Sequence, residues 1–232
     1  YISHLLHKMA SPSEDLEGES YFMREIEKRD GSCLRIKQCS KGDVGCVVWD
    51  AAIVLAKYLE TEQFYQPSEG INTWANKTVL ELGAGTGVVG LMAATLGARV
   101  TVTDLEDLQP LLELNIRDHL PLVRTGSVKA KVLKWGGDVT EFLPPPDFLL
   151  MADCIYCSRS PSPLLTGPVI VSGCLGPAIH FQCSGSSRVF WITPCAEQLL
   201  LQDFEAKEIP LEKQDPEYSS EDIHILLLRS RA

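Results

Sequence analysis

The stretch TVLELGAGTGVVGLMAATLG, residues 78 to 97, indicates the fold of this chain. TVLEL has the length and composition of a short buried strand, GAGTG turns the chain, and VVGLMAATLG is an apolar helix that stops at Gly97. A strand, a glycine-rich turn and a helix in this order are typical of a doubly wound α/β sheet. We therefore predict a mostly parallel sheet with this segment at its centre.

The residues that follow continue the alternation of strands and helices. PPPDFLLMAD (144–153) ends in a strand that is apolar almost throughout, as a central parallel strand should be. Composition and periodicity predict these elements: a strand at 99–104, a helix at 106–119, a strand at 127–135, a strand at the end of 144–153, a helix then a strand within 196–210, and a last strand within 221–231.

The N-terminal part carries a different pattern. YFMREIEKRDGSCLRIKQC (21–39) predicts a hairpin that turns at Asp30-Gly31. GCVVWDAAIVLAKYLE (45–60) has apolar residues at helical spacing, and the polar residues 65–77 predict a loop. Residues 1–20 include an acidic run among Ser and Pro and are interpreted as a disordered lead-in to a single domain at 21–232.

Composition excludes several classes of function. The 232 residues carry a net charge of -10, which disfavours sequence-independent binding to nucleic acid. No apolar run reaches the roughly 18 residues of a membrane span, so no membrane partner is expected. The N-terminus lacks a secretory signal, Met9 is interpreted as the start of the protein, and the eight cysteines then predict free thiols in a cytoplasmic location.

One block differs in composition from the rest of the chain. Residues 158–195 hold 16 Ser, Pro and Gly in 38 positions, and no Asp or Glu. Either PVIVSG (168–173) or RVFWIT (188–193) could supply a fifth sheet strand there, and the sequence does not decide between them. We interpret the block as an alternative exon, a reading-frame slip or a misjoined gene model.

The glycine-rich turn predicts a cofactor site. Gly83 and Gly85 allow close approach of a ligand to the backbone, and the helix that follows offers free N–H groups. Asp104 ends the next strand, where a carboxylate can accept both hydroxyls of a ribose. A turn without ligand and a dinucleotide site are the alternatives. Glu81, an acid next to the turn, disfavours pyrophosphate and favours the cationic amine of S-adenosylmethionine (SAM).

Five segments together resemble a known family. These segments resemble the class I, seven-strand protein-lysine methyltransferases of the methyltransferase-like 21 group. They are GCVVWDAAIVLAKYLE, VLELGAGTGVVGLMAATLGA, VTVTDLEDLQPLLELN, KVLKW and FLLMADCIY. The resemblance covers roughly 21–157 and 197–229 and breaks off at the Ser/Pro/Gly block.

The resemblance implies a Rossmann-like sheet of seven strands with an N-terminal hairpin, and SAM as cofactor. It implies a lysine side chain of a non-histone protein as substrate, with an AAA-type ATPase or chaperone expected and valosin-containing protein the named candidate. A monomer is expected. The SAM contacts that the resemblance implies, beside Glu81, are Trp49, Gly83, Ala84, Gly85, Asp104, Trp135 and Ala152.

The resemblance also implies catalytic residues after the fourth strand. Asp153 is expected to orient the lysine amine or take its proton, and Tyr156 to line the lysine channel. Cys157 stands where the family has a second aromatic residue. A simple cap at the strand end is the other interpretation of Asp153.

The C-x-x-C pair and the activity of the chain each have an alternative interpretation. Cys154 and Cys157 form a C-x-x-C, but the sequence offers no second ligand pair, so we predict no metal site. The alternatives to an active protein methyltransferase are a catalytically impaired SAM-binding isoform, a misjoined gene model, or a small-molecule methyltransferase on the same fold.

Overall fold

The computed structural model describes residues 13–14, 20–134, 138–153, 169–174 and 204–230. Most of the expected lead-in at 1–20 lies outside these residues, and so does the helix expected before residue 204. Trp135, Tyr156 and both cysteines of the C-x-x-C are also outside them. The roles predicted for these side chains therefore stay predictions.

The N-terminal hairpin is confirmed. Strands β2 (Ser20–Glu27) and β3 (Cys33–Cys39) pair antiparallel around Asp30-Gly31, and a two-residue strand β1 (Ser13–Glu14) pairs with the start of β2. Gly31 has a φ of 80°, the left-handed conformation that glycine adopts without strain. The hairpin buries Ile26, Leu34 and Ile36 in the main hydrophobic core of the molecule.

Helix α1 (Asp50–Leu59) follows, and the loop after it contains a buried aromatic residue. Two short strands, β4 (Tyr65–Gln66) and β5 (Ile71–Asn72), pair within this loop. Trp74 at its end is fully buried, and its Nε1 donates a hydrogen bond of 2.8 Å to the carbonyl of Leu59. The loop predicted at 65–77 is therefore present, but it contains a short hairpin, and Trp74 anchors it to the end of α1.

The main sheet has seven strands with two helices between the first three. Helix α2 (Val88–Thr95) joins the first two strands and helix α3 (Gln109–His119) joins the second and third. The strands are β6 (Thr78–Leu82), β7 (Arg99–Asp104), β8 (Ser127–Val132), β9 (Phe148–Ala152), β10 (Val169–Cys174), β11 (Phe204–Ile209) and β12 (Ile223–Ser230). Every strand except β10 lies within a segment predicted to form a strand, although β8 stops three residues before the expected end. β10 extends one residue beyond PVIVSG, which was one of two open candidates for the fifth strand.

The strand order explains where a ligand can bind. From one edge to the other the order is β11, β12, β10, β9, β6, β7, β8, and the five strands from β10 to β8 are parallel. The chain runs from β6 outward to β8 and then returns to β9 on the other side of β6. Open α/β sheets bind ligands beyond the carboxyl ends of the strands at such a reversal. The site is therefore expected where β6, β7 and β9 end.

Strand β10 decides between the two candidate fifth strands. Val169–Cys174, which includes most of PVIVSG, lies parallel to β9 and antiparallel to β12. RVFWIT at 188–193 lies outside the described residues. Backbone pairing thus continues through part of the Ser/Pro/Gly block, and the sheet has a strand in the fifth position.

Helix α2 occupies the centre of the molecule. It packs against α1, against β3 and against the sheet, and all of its residues except the last are buried. A helix covered on all sides needs apolar residues all around, which its sequence VVGLMAAT supplies. Among the described residues, no helix has the length and apolarity that crossing a bilayer requires.

Candidate cofactor and active site

The glycine-rich loop between β6 and α2 has a conformation that only glycines adopt readily. Gly83, Gly85 and Gly87 have φ angles of 62°, 54° and 84°, all in the left-handed region. Within the loop, the N–H of Ala84 donates to the carbonyl of Thr103 on the neighbouring strand over 3.0 Å. The loop is thereby held against the end of β7, where the predicted ribose ligand Asp104 lies.

Asp104 is bonded directly to this loop. Its Oδ2 accepts a hydrogen bond from the N–H of Gly85 at 2.7 Å, and its Oδ1 accepts one from the N–H of Leu105 at 2.8 Å. Burial raises the pKa of Asp104, the two hydrogen bonds oppose that rise, and the nearby charge of Asp43 adds to it. An ionised carboxylate has about four acceptor positions. Two positions therefore remain for the hydroxyls of a diol.

The segment before α1 covers the loop. Residues Val44–Cys46 form a single 3-10 turn, and the carbonyl of Gly45 lies only 2.8 Å from the point where a Cβ on Gly85 would be. Two backbones can approach this closely because both residues are glycines. Trp49, at the N-cap of α1, donates from its Nε1 to the carbonyl of Val44 at 2.9 Å and is 47% exposed. Trp49 therefore belongs to the segment that borders the loop, and its contact with the cofactor stays a prediction.

Glu81 does not face the ligand side of the glycine-rich loop, where its charge was expected to favour the amine of SAM. The side chain is 2% exposed, beneath α2 rather than at the open side of the loop, and it accepts a hydrogen bond of 2.8 Å from the N–H of Gly90. Burial raises the pKa of Glu81 to about 8, and the neighbouring charge of Asp104 adds to the rise. At neutral pH the carboxyl is mostly protonated, so this geometry supports α2 and does not present a negative charge to a ligand.

Asp153 follows the last residue of β9 in an unusual conformation. Its φ is 46°, in the left-handed region that Asp tolerates better than most residues with a Cβ. Leu82 pairs with Met151 in the parallel register of β6 and β9, so Ala152 and Asp153 emerge beside Gly83 and Ala84. The structure thus brings the predicted catalytic acid to the same sheet edge as the glycine-rich loop and Asp104.

Two buried polar residues of α3 have a part in this region that sequence reasoning missed. Asn115 and His119 are 0% and 3% exposed, and both hydrogen-bond to the backbone of β3. The helical spacing of Leu111, Asn115 and His119 was a usable signal, because it places polar residues on the apolar face of α3.

The fold and the site geometry agree with one protein family. A family model described as lysine methyltransferase matches residues 28–167, which is more than half of the chain. The chain belongs to this lysine methyltransferase family. The match includes the glycine-rich loop, Asp104 and Asp153, so the resemblance drawn from the sequence segments is confirmed.

Individual proteins with a similar sequence are also named as lysine methyltransferases. The protein N-lysine methyltransferase METTL21A of Xenopus tropicalis is 46% identical over 128 residues, which are 55% of this chain and 55% of its own. METTL21A of Mus musculus is 40% identical over 123 residues, or 53% of each chain. The EEF1A lysine methyltransferase 3 of Xenopus tropicalis is 36% identical over 128 residues, which are 54% of this chain and 53% of its own. The chain thus spans about half the length of the curated relatives it matches.

Solved structures support the fold alone. The T. thermophilus 16S rRNA N2 G1207 methyltransferase RsmC, in complex with AdoMet and guanosine, has a TM-score of 0.52 at 15% identity. The similarity covers 98% of this chain and 59% of that one. The CcbJ methyltransferase from Streptomyces caelestis has a TM-score of 0.50 at 16% identity, covering 82% of this chain and 100% of its own. Both agree with the predicted class I methyltransferase fold.

Proposed function

We propose that this lysine methyltransferase family member is a SAM-dependent protein-lysine N-methyltransferase. The observation that carries the proposal is the bond of 2.7 Å between the Gly85 N–H and Asp104 Oδ2, at the sheet edge where β6, β7 and β9 end. It joins the two elements that a ribose-bearing cofactor needs, a left-handed glycine turn and a strand-end carboxylate with spare acceptor positions.

The backbone and the acceptors at this edge fit the hydrogen bonding of SAM. The left-handed glycines leave no side chain between the loop backbone and a ligand. The remaining acceptor positions of Asp104 match a ribose diol, and Leu105 beside it is an exposed apolar residue that could contact a planar base. Trp49, Gly83, Ala84, Gly85, Trp135 and Ala152 are proposed as further contacts on the strength of the family resemblance.

When bound, SAM supplies a methyl group activated by the positive sulfur that carries it. The work of the chain is then to place a neutral amine in line with that group, because positioning contributes most of the rate in such a displacement. A free lysine has a pKa of about 10.4 and is protonated at neutral pH. We assign Asp153 to orient the amine or accept its proton, and Tyr156 to the channel wall that disfavours the ammonium form.

The proposed substrate is a lysine of a non-histone protein. An AAA-type ATPase or a chaperone is the expected class, and valosin-containing protein is the first candidate. EEF1A is a second candidate, since a relative at 36% identity is named for its methylation. The proposal includes a cytoplasmic, monomeric protein.

A specific observation favours a second candidate function, a SAM-binding protein without transferase activity. Cys157 stands where the family has a second aromatic residue, and the resemblance to the family breaks off at the Ser/Pro/Gly block that follows. A protein altered in this way would keep the glycine-rich loop and Asp104 and would lose the lysine channel. A small-molecule methyltransferase is distinguished from both by the kind of product it forms.

The experiment that tests the proposal is transfer of a labelled methyl group. The full chain is incubated with methyl-labelled SAM and, separately, with valosin-containing protein, a chaperone, EEF1A and a small-molecule extract. Label on a lysine of a protein band supports the proposal. SAM binding with no labelled product supports the second candidate, and label only in the small-molecule fraction supports the small-molecule enzyme.

A further inference from the structure

Asn115 on α3 contacts two separate parts of the molecule with one amide group. Its Oδ1 accepts from the N–H of Lys37 at 2.8 Å, which fixes the orientation of the amide. Its Nδ2 donates to the carbonyl of Lys37 and to the carbonyl of Thr86, both at 3.0 Å. Both amide hydrogens and the oxygen are therefore used, and the side chain is completely buried. Lys37 belongs to the N-terminal hairpin, and Thr86 belongs to the glycine-rich loop.

His119, one turn further along α3, repeats only half of this arrangement. Its Nε2 accepts from the N–H of Arg35 at 2.9 Å, and its Nδ1 lies 2.6 Å from the carbonyl of Asn115. The first bond requires a lone pair on Nε2, so Nδ1 carries the hydrogen and the ring is neutral. Burial lowers the pKa of His119 and thereby favours this form. Together the two side chains cover the outer edge of β3 at Arg35 and Lys37, but only Asn115 reaches the loop.

The hairpin is also tied to the segment that covers the loop. Gln38, the residue after Lys37, is buried and accepts from the N–H of Val48 at 2.7 Å through its Oε1. Val48 precedes Trp49 and follows the 3-10 turn that lies against Gly85. The hairpin is therefore bonded to both parts of the predicted cofactor site. Gln38 holds the segment before α1 that covers the loop, and Asn115 holds the glycine-rich loop itself.

We infer that Asn115 is a positioning residue for the glycine-rich loop, linking the carbonyl of Thr86 to the edge of β3 so that the N-terminal hairpin sets the conformation of the cofactor site. Thr86 lies between Gly85 and Gly87, whose left-handed conformations have little rigidity of their own. A buried donor that holds the carbonyl between them restricts both. The inference rests on the proposed use of SAM only where it concerns affinity; the conformation of the loop can be measured without ligand.

The test compares Asn115→Ala with His119→Ala. The first variant removes two hydrogen bonds to β3 and the one to the loop, whereas the second removes one hydrogen bond to β3 and none to the loop. Amide hydrogen exchange, resolved by residue, is followed at Gly85 and Gly87, with Leu80 in β6 as an internal reference for global unfolding. We expect exchange at Gly85 and Gly87 to become at least about tenfold faster, relative to Leu80, in Asn115→Ala and to stay within about twofold in His119→Ala. Equal changes in the two variants would overturn the inference.

A second variant, Asn115→Asp, provides the same test if Asn115→Ala does not fold. Asn115→Asp keeps the side-chain volume and the acceptor for the Lys37 N–H, but loses both donated hydrogen bonds. The same relative acceleration of loop exchange is expected, and an unchanged loop in a folded Asn115→Asp protein would overturn the inference. Calorimetric titration with SAM adds the functional readout, with affinity about tenfold lower in either Asn115 variant and near that of the unaltered protein in His119→Ala.

The positioning role of Asn115 and the proposed binding of SAM are contradicted by different results. If the unaltered protein binds no SAM while Asn115→Ala loosens the loop, the proposed function is contradicted and the positioning role stands. If SAM binds equally to the unaltered protein and both variants, and loop exchange does not change, the positioning role is contradicted and the cofactor proposal stands.

Discussion

The N–H of Gly85 donates to Oδ2 of Asp104 over 2.7 Å, although 19 positions separate the two residues in the sequence. The bond crosses from the turn after β6 to the end of β7, and parallel pairing of Leu82 with Thr103 brings the two strand ends level. A loop and a carboxylate that would both contact a cofactor are thereby fixed to each other.

Gly85→Ala is expected to weaken both folding and SAM binding. The new Cβ would lie 2.8 Å from the carbonyl oxygen of Gly45, and the φ of 54° is unfavourable for alanine. Gly70→Ala is the matched control, since Gly70 has a φ of 74° and nothing within 4 Å of its Cβ position. We expect the control to lose about 1 kcal/mol of unfolding free energy from strain alone, and Gly85→Ala to lose more. Urea unfolding measures both, and equal losses would contradict the close contact with Gly45.

Glu81→Gln is expected to stabilise the protein increasingly as the pH rises. The pKa of Glu81 is raised to about 8 from an ordinary value of 4.5, so between these pH values the native state binds more protons than the unfolded state. The stability of the unaltered protein therefore falls across that interval and is lowest, with respect to this group, above pH 8. Glutamine keeps an acceptor for the Gly90 N–H and never ionises. Thermal melts at about pH 5 and pH 9 should show a gain in Tm only at the higher value.

An exposed acid provides the control for this pH effect. Glu106→Gln removes an acid at the surface near the same site, and we expect its Tm difference to be similar at both pH values. If Glu81→Gln behaved in the same way, with no growth of its advantage between pH 5 and pH 9, the burial of an ionisable Glu81 beneath α2 would be contradicted.

Asp153→Asn is expected to separate binding from transfer. Asparagine also tolerates the left-handed conformation of this position, so the backbone at the end of β9 should be kept. A neutral amide can neither accept the lysine proton nor attract an ammonium group. We expect methyl transfer to fall at least about a hundredfold, as for loss of a general base, while SAM affinity changes less than about twofold. Transfer rates near those of the unaltered protein would contradict a catalytic role and leave Asp153 as a cap at the strand end.

Trp74→Phe is expected to destabilise the fold without touching the site. Trp74 is fully buried, packs near Phe64 and Phe148 with ring centroids 5.3 and 5.0 Å away, and donates to the carbonyl of Leu59. Phenylalanine leaves that carbonyl unpaired and a small cavity beside it. A loss of about 1–3 kcal/mol in unfolding free energy is expected from urea titration, with SAM affinity unchanged in the folded variant.

Local sequence signals predicted much of this fold. The strand–glycine–helix sequence at 78–97 and the turn residues Asp30-Gly31 specify their elements through short-range physics, namely apolar periodicity and the left-handed preference of glycine. The carboxyl ends of β6, β7 and β9 could also be predicted to meet, because parallel strands share one edge. The structure has Asp104 and Asp153 at that shared edge, and the roles predicted for them stay predictions.

The remaining features depend on tertiary packing, which local patterns do not record. Glu81 lies on a strand covered on both faces, and its sequence neighbours do not reveal that it points under α2. Trp74 sits among polar residues and is buried only because α1 and β9 pack beside it. The choice of β10 over RVFWIT depends on pairing with β9 and β12, two strands far away along the chain.

The central claim, that this sheet edge binds SAM through Asp104, is tested most directly by calorimetric titration of SAM into the full chain and into Asp104→Asn. Asp107→Asn, an exposed acid three residues away, is the control. We predict one binding site in the unaltered protein, similar affinity in Asp107→Asn, and at least about tenfold weaker binding in Asp104→Asn. A folded, cooperatively melting protein that binds no SAM, or that binds it equally well without the Asp104 carboxylate, would contradict the account.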